Sequence, residues 1–175
     1  VHAIGGTMEW LPGTRNLAYI AEDKARTRVY RIIDVKDGGQ GATDVLTPGD
    51  VVVSSFSFAR VGGGMYAALA TPEHLDDVYY LQADAPAGEG RFDRLTDVNP
   101  QMAEWKMPQI SIVDWTAPDG TKVEGILELP PDYKPADGPL PMVVEIHGGP
   151  TAATTYQFNL RIYGEATLAS SGYAR

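Results

Sequence analysis

Between residues 1 and 98 apolar and polar positions alternate in short runs bounded by turn-forming clusters, the period of half-buried strands. The runs fall near Gly6–Trp10, Asn16–Glu22, Arg28–Val35 and Thr43–Thr47, then near Ser54–Arg60, Met65–Thr71, Asp77–Ala83 and Arg91–Thr96. Turns are supplied by Pro12-Gly13, Asp37-Gly38-Gly39 and Gly62-Gly63-Gly64. The two sets of four share landmarks. Val29-Tyr30 recurs as Val78-Tyr79 and Leu46-Thr47 as Leu95-Thr96, each 49 residues on, while Trp10 and Phe58 correspond at 48. Leu17–Ile20 corresponds to Met65–Ala68 within a residue or two. Four short antiparallel strands per repeat of about 40–50 residues is the pattern of a β-propeller blade. A β-sandwich with coincident spacings is the competing architecture. Trp10, Phe56 and Phe58 take core positions in either case. A blade buries both faces only against its neighbours, and propellers use about 4–8 of them, so two blades imply further chain upstream.

The pattern changes after Asn99-Pro100. Residues 101–109 carry Pro108 and no clear period, which fits a linker or a short docking helix. Ile110–Trp115 and Lys122–Leu129 are the strands of a hairpin turned by Pro118-Asp119-Gly120. A proline-rich loop, 130–139, follows. Met142–Ile146 then enters a glycine-rich turn, His147-Gly148-Gly149-Pro150, as a buried parallel strand does when it delivers its carboxyl end to a site. Phe158, Ile162, Ala166 and Ala169 are spaced as a helical stripe, with Gly172 suited to the position past the helix end.

Composition narrows the partners. The chain has 175 residues and a formal net charge of −9 with no basic run, which disfavours nucleic acid and anionic membrane surfaces. It has no cysteine, which excludes disulfides, Cys-ligated zinc and thiol catalysis in this segment. No metal-ligand spacing and no cofactor motif is present, so neither a metal nor a cofactor is expected. No apolar run reaches the length of a membrane span, which fits a soluble protein and leaves the compartment open, cytoplasmic or exported. His2 and His74 stand alone and fit surface or loop positions. The adjacent carboxylates Glu22-Asp23 and Asp76-Asp77 fit solvated turns.

The order of motifs carries a resemblance. Asp119-Gly120-Thr121-Lys122-Val123-Glu124-Gly125, the proline-rich loop, His147-Gly148-Gly149-Pro150 and Leu168-Ala169-Ser170-Ser171-Gly172-Tyr173-Ala174 together resemble the opening of the catalytic domain of prolyl oligopeptidase family serine peptidases. The similarity is greatest to the acylaminoacyl-peptidase and dipeptidyl-peptidase-like branches. Leu95–Pro100 is similar to the exit from their propeller. The resemblance implies three parts: residues 1–100 as the last two propeller blades, 101–109 as a linker, and 110–175 as the truncated start of an α/β-hydrolase domain. It further implies hydrolysis of short peptides through an acyl-enzyme by a Ser-Asp-His triad. The family's nucleophile sits in a Gly-x-Ser-x-Gly elbow, and none of the serines at 54, 55, 57, 111, 170 and 171 has that framing. No triad residue is therefore assigned, and the segment alone is expected to be inactive.

What remains is the oxyanion side of the chemistry. In α/β hydrolases one donor to the developing oxyanion comes from the loop after the third strand, the place the 147–150 turn occupies in the resemblance. By that similarity the Gly149 N–H is the best candidate donor, with Gly148 and His147 beside it. Other branches place a tyrosine hydroxyl where His147 stands, so His147 is expected only to line the site. Pro150 has no N–H and stiffens the turn. An ordinary strand-end turn is the alternative from spacing alone. Two other activities stay open: a carboxylic-ester hydrolase of α/β-hydrolase type, and a non-catalytic propeller interaction module. The open edges of two blades and a half sheet are expected to make the segment poorly soluble alone, and a homo-oligomer stays open.

Overall fold

The structure, a computed structural model, describes residues 2–36, 41–82, 90–149, 152–160 and 165–175, with side chains described outside 2–6 and 165–166. The turn expected at Asp37-Gly38-Gly39 lies outside the described residues. Strands β1 (His2–Trp10), β2 (Leu17–Asp23), β3 (Arg26–Ile33) and β4 (Ala42–Val45) form one antiparallel meander. A second comprises β5 (Val52–Phe58), β6 (Gly64–Ala70), β7 (Asp77–Gln82) and β8 (Phe92–Arg94). A parallel bridge, Thr27 to Val52, joins them in a sheet that stays open at both ends. The chain is mostly sheet with almost no helix.

The 49-residue repeat has a physical cause. In the first meander the Val29 N–H donates to Thr47 Oγ1 (3.0 Å) and the Val29 carbonyl accepts from the Leu46 N–H (2.9 Å). In the second the Val78 N–H donates to Thr96 Oγ1 (2.9 Å) and the Val78 carbonyl accepts from the Leu95 N–H (2.8 Å). The recurring Val-Tyr and Leu-Thr pairs thus fasten the third strand of each unit to the chain leaving the fourth. The two meanders also share one core, in which Ile20 and Val29 of the first meet Phe56, Met65 and Leu81 of the second. Phe56 and Phe58 are buried there edge to face, at 5.7 Å.

Two expectations in this region are corrected. Trp10 is not core: it is 55% exposed, because it ends the outer strand β1, where no described residue covers it. His2 lies in strand β1. Asp77 is not a solvated turn charge: it is buried at the start of β7. There it accepts from Arg94 Nε (3.0 Å), the Thr96 hydroxyl (2.6 Å) and the Val98 N–H (2.9 Å). Burial works against its ionised form, but those donors outweigh it and hold the carboxyl below its usual range.

Residues Pro100–Glu104 form a 3₁₀ turn that buries Met102, and Trp105 meets Phe158 edge-on at 6.4 Å. The expected hairpin is β9 (Gln109–Thr116) with β10 (Lys122–Leu129), turned at Gly120 (φ 88°). Gln109 Nε2 gathers the carbonyls of Pro130, Pro131 and Tyr133, which pins the proline-rich loop to the hairpin base.

Two further expectations change. Met142–Ile146 is not a buried strand. Met142 makes a single parallel bridge to Ala174, and residues 141–149 are exposed, Ile146 at 87%. A parallel strand is buried only when neighbours cover both its faces, and among the described residues that cover is absent. The helix is shorter than its stripe: α1 spans Glu165–Ser170. Phe158 lies before it, buried, with its N–H donated to the Thr71 carbonyl (3.2 Å) rather than to a helical turn. Ile162 lies outside the described residues. Gly172, at φ 85°, ends the helix as expected. The Tyr173 N–H returns to the Leu168 carbonyl (3.0 Å) and the Gly172 N–H to Ala169 (3.1 Å), a Schellman closure that needs a residue free to take positive φ.

Candidate functional site

The second region pairs two short extended segments that lie on either side of α1 in sequence. Residues 141–143 and 173–175 run parallel: the Val143 N–H donates to the Ala174 carbonyl and the Ala174 N–H to the Pro141 carbonyl, both 2.9 Å. On the other side Arg175 exchanges both backbone hydrogen bonds with Glu128 of β10, at 2.8 and 2.9 Å. The lateral order is therefore β9, β10, 173–175, 141–143. The later segment is inserted between the hairpin and the earlier one, with α1 in the crossover.

This order sends the chain from Met142 toward His147-Gly148-Gly149 at the carboxyl end of a parallel segment. The three residues are exposed, and Gly149 has φ 79°. A Cβ built on Gly149 would meet only the Ala152 Cβ, at 3.7 Å. Glycine is thus favoured there by the backbone angle and not by crowding. Among the described residues no hydrogen-bond acceptor is found for the Gly148 or Gly149 N–H. Pro150 lies outside the described residues.

An apolar cavity of about 760 Å³ opens beside this segment. Its walls are one face of the hairpin (Val113, Trp115, Val123), residues 142–147, and the β2–β3 turn at Lys24-Ala25. His147 lines it; Gly148 and Gly149 are not part of its wall. His74 is exposed in a loop, away from the residues that line this cavity. Among the described residues no group of three or more His, Asp or Glu is placed to hold a metal ion, and no helix is long and apolar enough to cross a membrane.

Charged and aromatic residues that sequence reasoning passed over hold these parts together. Glu124 of β10 accepts from the Ala25 N–H (3.2 Å) and pairs with Lys24 (3.3 Å), which ties the hairpin to the first sheet. Tyr156 donates its N–H to the Ala25 carbonyl (2.6 Å) and its hydroxyl to the Ile110 carbonyl (3.2 Å), with Arg26 over its ring at 5.7 Å. Arg175 holds the buried Glu128 through two side-chain hydrogen bonds, Nε to Oε2 at 3.0 Å and Nη2 to Oε1, and reaches Glu145 Oε2 from Nη1 at 2.8 Å. Burial works against the charged guanidinium, but the two carboxylates outweigh it and raise its pKa above the ordinary arginine value. One signal was present in the sequence: Glu128 interrupts the run Ile126-Leu127-Glu128-Leu129, and a carboxylate in an apolar strand calls for a partner. Its partner is 47 residues away, beyond any local pattern.

No family model matches the sequence, and no curated protein matches it. Solved structures do. The chain is similar to the Pyrococcus horikoshii acylaminoacyl peptidase, with a TM-score of 0.69 and 19% identity over 99% of this chain and 24% of that one. It is also similar to the AtxE2 isopeptidase. The apo form gives a TM-score of 0.64 at 17% identity, and a variant with Astexin3-dC4 bound gives 0.67 at 18%, each over 92% of this chain and 23% of the isopeptidase. The chain thus spans about a quarter of the length of these proteins and shares the fold of that part of each peptidase.

Proposed function

We propose that this chain is the junction segment of a serine peptidase of the prolyl oligopeptidase family. Residues 1–100 are then the last two blades of a propeller, 101–109 the linker, and 110–175 the start of an α/β-hydrolase domain. The observation that carries this reading is the lateral order β9, β10, 173–175, 141–143. That order brings an exposed turn with Gly149 at positive φ to the carboxyl end of a parallel segment, beside a cavity. The peptidase neighbours support it.

In this reading a serine carried elsewhere in the protein attacks the scissile carbonyl of a short peptide, its hydroxyl proton passing to a histidine, also elsewhere in the protein, that returns it to the leaving amine nitrogen. The carbonyl π electrons move onto oxygen, and the Gly149 N–H donates to that oxygen as it becomes negative. Collapse of the intermediate expels the amine and leaves an acyl-enzyme, which water then hydrolyses. A donor already oriented costs no reorganisation as charge develops. His147 lines the entry and Gly148 lets the backbone approach closely. No metal or cofactor takes part.

The test uses the full-length protein. A fluorophosphonate should label one serine within a Gly-x-Ser-x-Gly elbow, and short peptidyl p-nitroanilides should be cleaved. Gly149→Ala, strained at φ 79° although uncrowded, should lower kcat at least about tenfold with KM little changed, on the scale of losing part of one oxyanion donor. Ester turnover without peptide cleavage would favour an esterase. No labelled serine would leave a non-catalytic interaction module.

A further inference from the structure

We propose that Tyr156 is a positioning residue for the 147–149 turn, clasping the segment that leaves it to the first sheet; this rests on the oxyanion reading of that turn. Ala152 lies against the turn, since a Cβ built on Gly149 would stand 3.7 Å from the Ala152 Cβ. Four residues on, Tyr156 meets three elements. Its N–H donates to the Ala25 carbonyl in the β2–β3 turn (2.6 Å), its hydroxyl donates to the Ile110 carbonyl of β9 (3.2 Å), and its ring lies under the Arg26 guanidinium of β3 at 5.7 Å. Arg26 is itself held by Asp50, Nε to Oδ1 at 2.6 Å. The second meander takes hold two residues later, where the buried Phe158 donates its N–H to the Thr71 carbonyl (3.2 Å). Thr71 is braced in turn. Its N–H donates to the His74 carbonyl (2.9 Å), and its hydroxyl accepts from the Glu73 and His74 amides at 3.2 and 3.1 Å. The β2–β3 turn is gripped from both sides, because Glu124 accepts from the Ala25 N–H (3.2 Å) while Tyr156 takes the Ala25 carbonyl. Lys24 in that turn sits at φ 57°, an angle that suits glycine, and its ammonium lies 3.3 Å from Glu124. Lysine accepts backbone strain there and supplies a charge to the clasp that glycine would lack. Every one of these is a contact made between described residues, and none depends on an uncovered surface. With Ala152 beside Gly149 and residues 156–158 seated on both meanders, the first sheet sets the course of the chain leaving the turn, and with it the heading of the Gly149 amide.

Amide hydrogen exchange in the full-length protein tests the clasp whether or not the protein hydrolyses peptides. Tyr156→Ala removes the hydroxyl bond and the contact with Arg26, and should speed exchange in peptides covering 147–156 about tenfold. Tyr156→Phe, which keeps the ring under Arg26, should speed it about threefold. Peptides from β6, in the core of the first sheet, should keep their protection in both. Where the alanine variant also loses protection in β6, the phenylalanine variant decides. Asp132→Asn, in the exposed pair of Lys106 and Asp132 at 2.8 Å, should change nothing. Turnover of a peptidyl p-nitroanilide should follow the exchange: Tyr156→Ala should lower kcat about fivefold with KM within about twofold, and Tyr156→Phe should restore most of the loss. Unaltered exchange over 147–156 in both variants would overturn the positioning role. So would faster exchange with kcat unchanged in a protein that has a reactive serine. Faster exchange in a protein with no reactive serine would fault the peptidase reading alone and leave the clasp standing.

Discussion

The two regions of the chain achieve order in opposite ways. In the first 98 residues the strands pair in sequence order within each meander, and the two meanders bury Met65, Leu69 and Leu81 almost completely in one core. In the second, apolar side chains such as Val144 and Ile146 stay exposed. Order there comes from a few polar ties between distant residues: Glu124 with Ala25, Tyr156 with Ile110, Glu128 with Arg175. A meander satisfies its backbone and its core with sequence neighbours. A parallel unit needs partners brought from afar, so its specification concentrates in individual charged residues.

The largest effect that separates the regions should come from their buried carboxylates. Asp77→Ala removes the acceptor for Arg94, Thr96 and Val98 together and should cost about 3 kcal/mol or more in chemical denaturation. The pH dependence has a definite sign. The folded pKa of Asp77 is depressed, so its contribution is present above the unfolded carboxylate value, about 3.9, and is lost as pH falls through the folded value. Acid should therefore weaken the first sheet below about pH 4. Asp77→Asn should flatten that part of the profile.

Next in size is a test of the repeat itself. Thr47 and Thr96 occupy equivalent places, but Thr96 also donates to Asp77. Thr47→Val should cost about 1 kcal/mol and Thr96→Val about 2 kcal/mol, because the second leaves a buried carboxylate short of a donor. Equal losses would mean that the Asp77 network contributes nothing beyond the shared motif.

How much of this was legible follows from the same contrast. Alternation and turn chemistry located all eight strands of the first sheet and the β9–β10 hairpin, because period-2 burial and Asp-Gly turns are local properties. The spacing of Val29-Tyr30 and Leu46-Thr47 against their repeats marked equivalent hydrogen bonds before any geometry was known. Asp77 was misread because burial depends on Arg94, Thr96 and Val98, which no two-residue pattern announces. The stripe through Phe158 predicted a helix too early, since a tertiary bond to Thr71 takes the N–H that a helix would use. At the turn, glycine content did not say which of Gly148 and Gly149 takes the positive φ, which is Gly149. The ties at Glu124, Tyr156, Glu145 and Arg175 carry no periodicity at all.

The smallest expected effect is the sharpest statement about the second region. Ile146→Ser replaces a large apolar side chain with a polar one, a change that in a core costs several kcal/mol. Here the side chain makes little contact, with Ile146 87% exposed, so almost no area would be returned to water. The stability of this 175-residue chain should move by less than about 0.5 kcal/mol. The same replacement at Leu69, 1% exposed in the first core, should cost about 3 kcal/mol or more. If the two substitutions cost the same, segment 142–146 is covered in solution, and the apolar wall beside His147 is an interior surface.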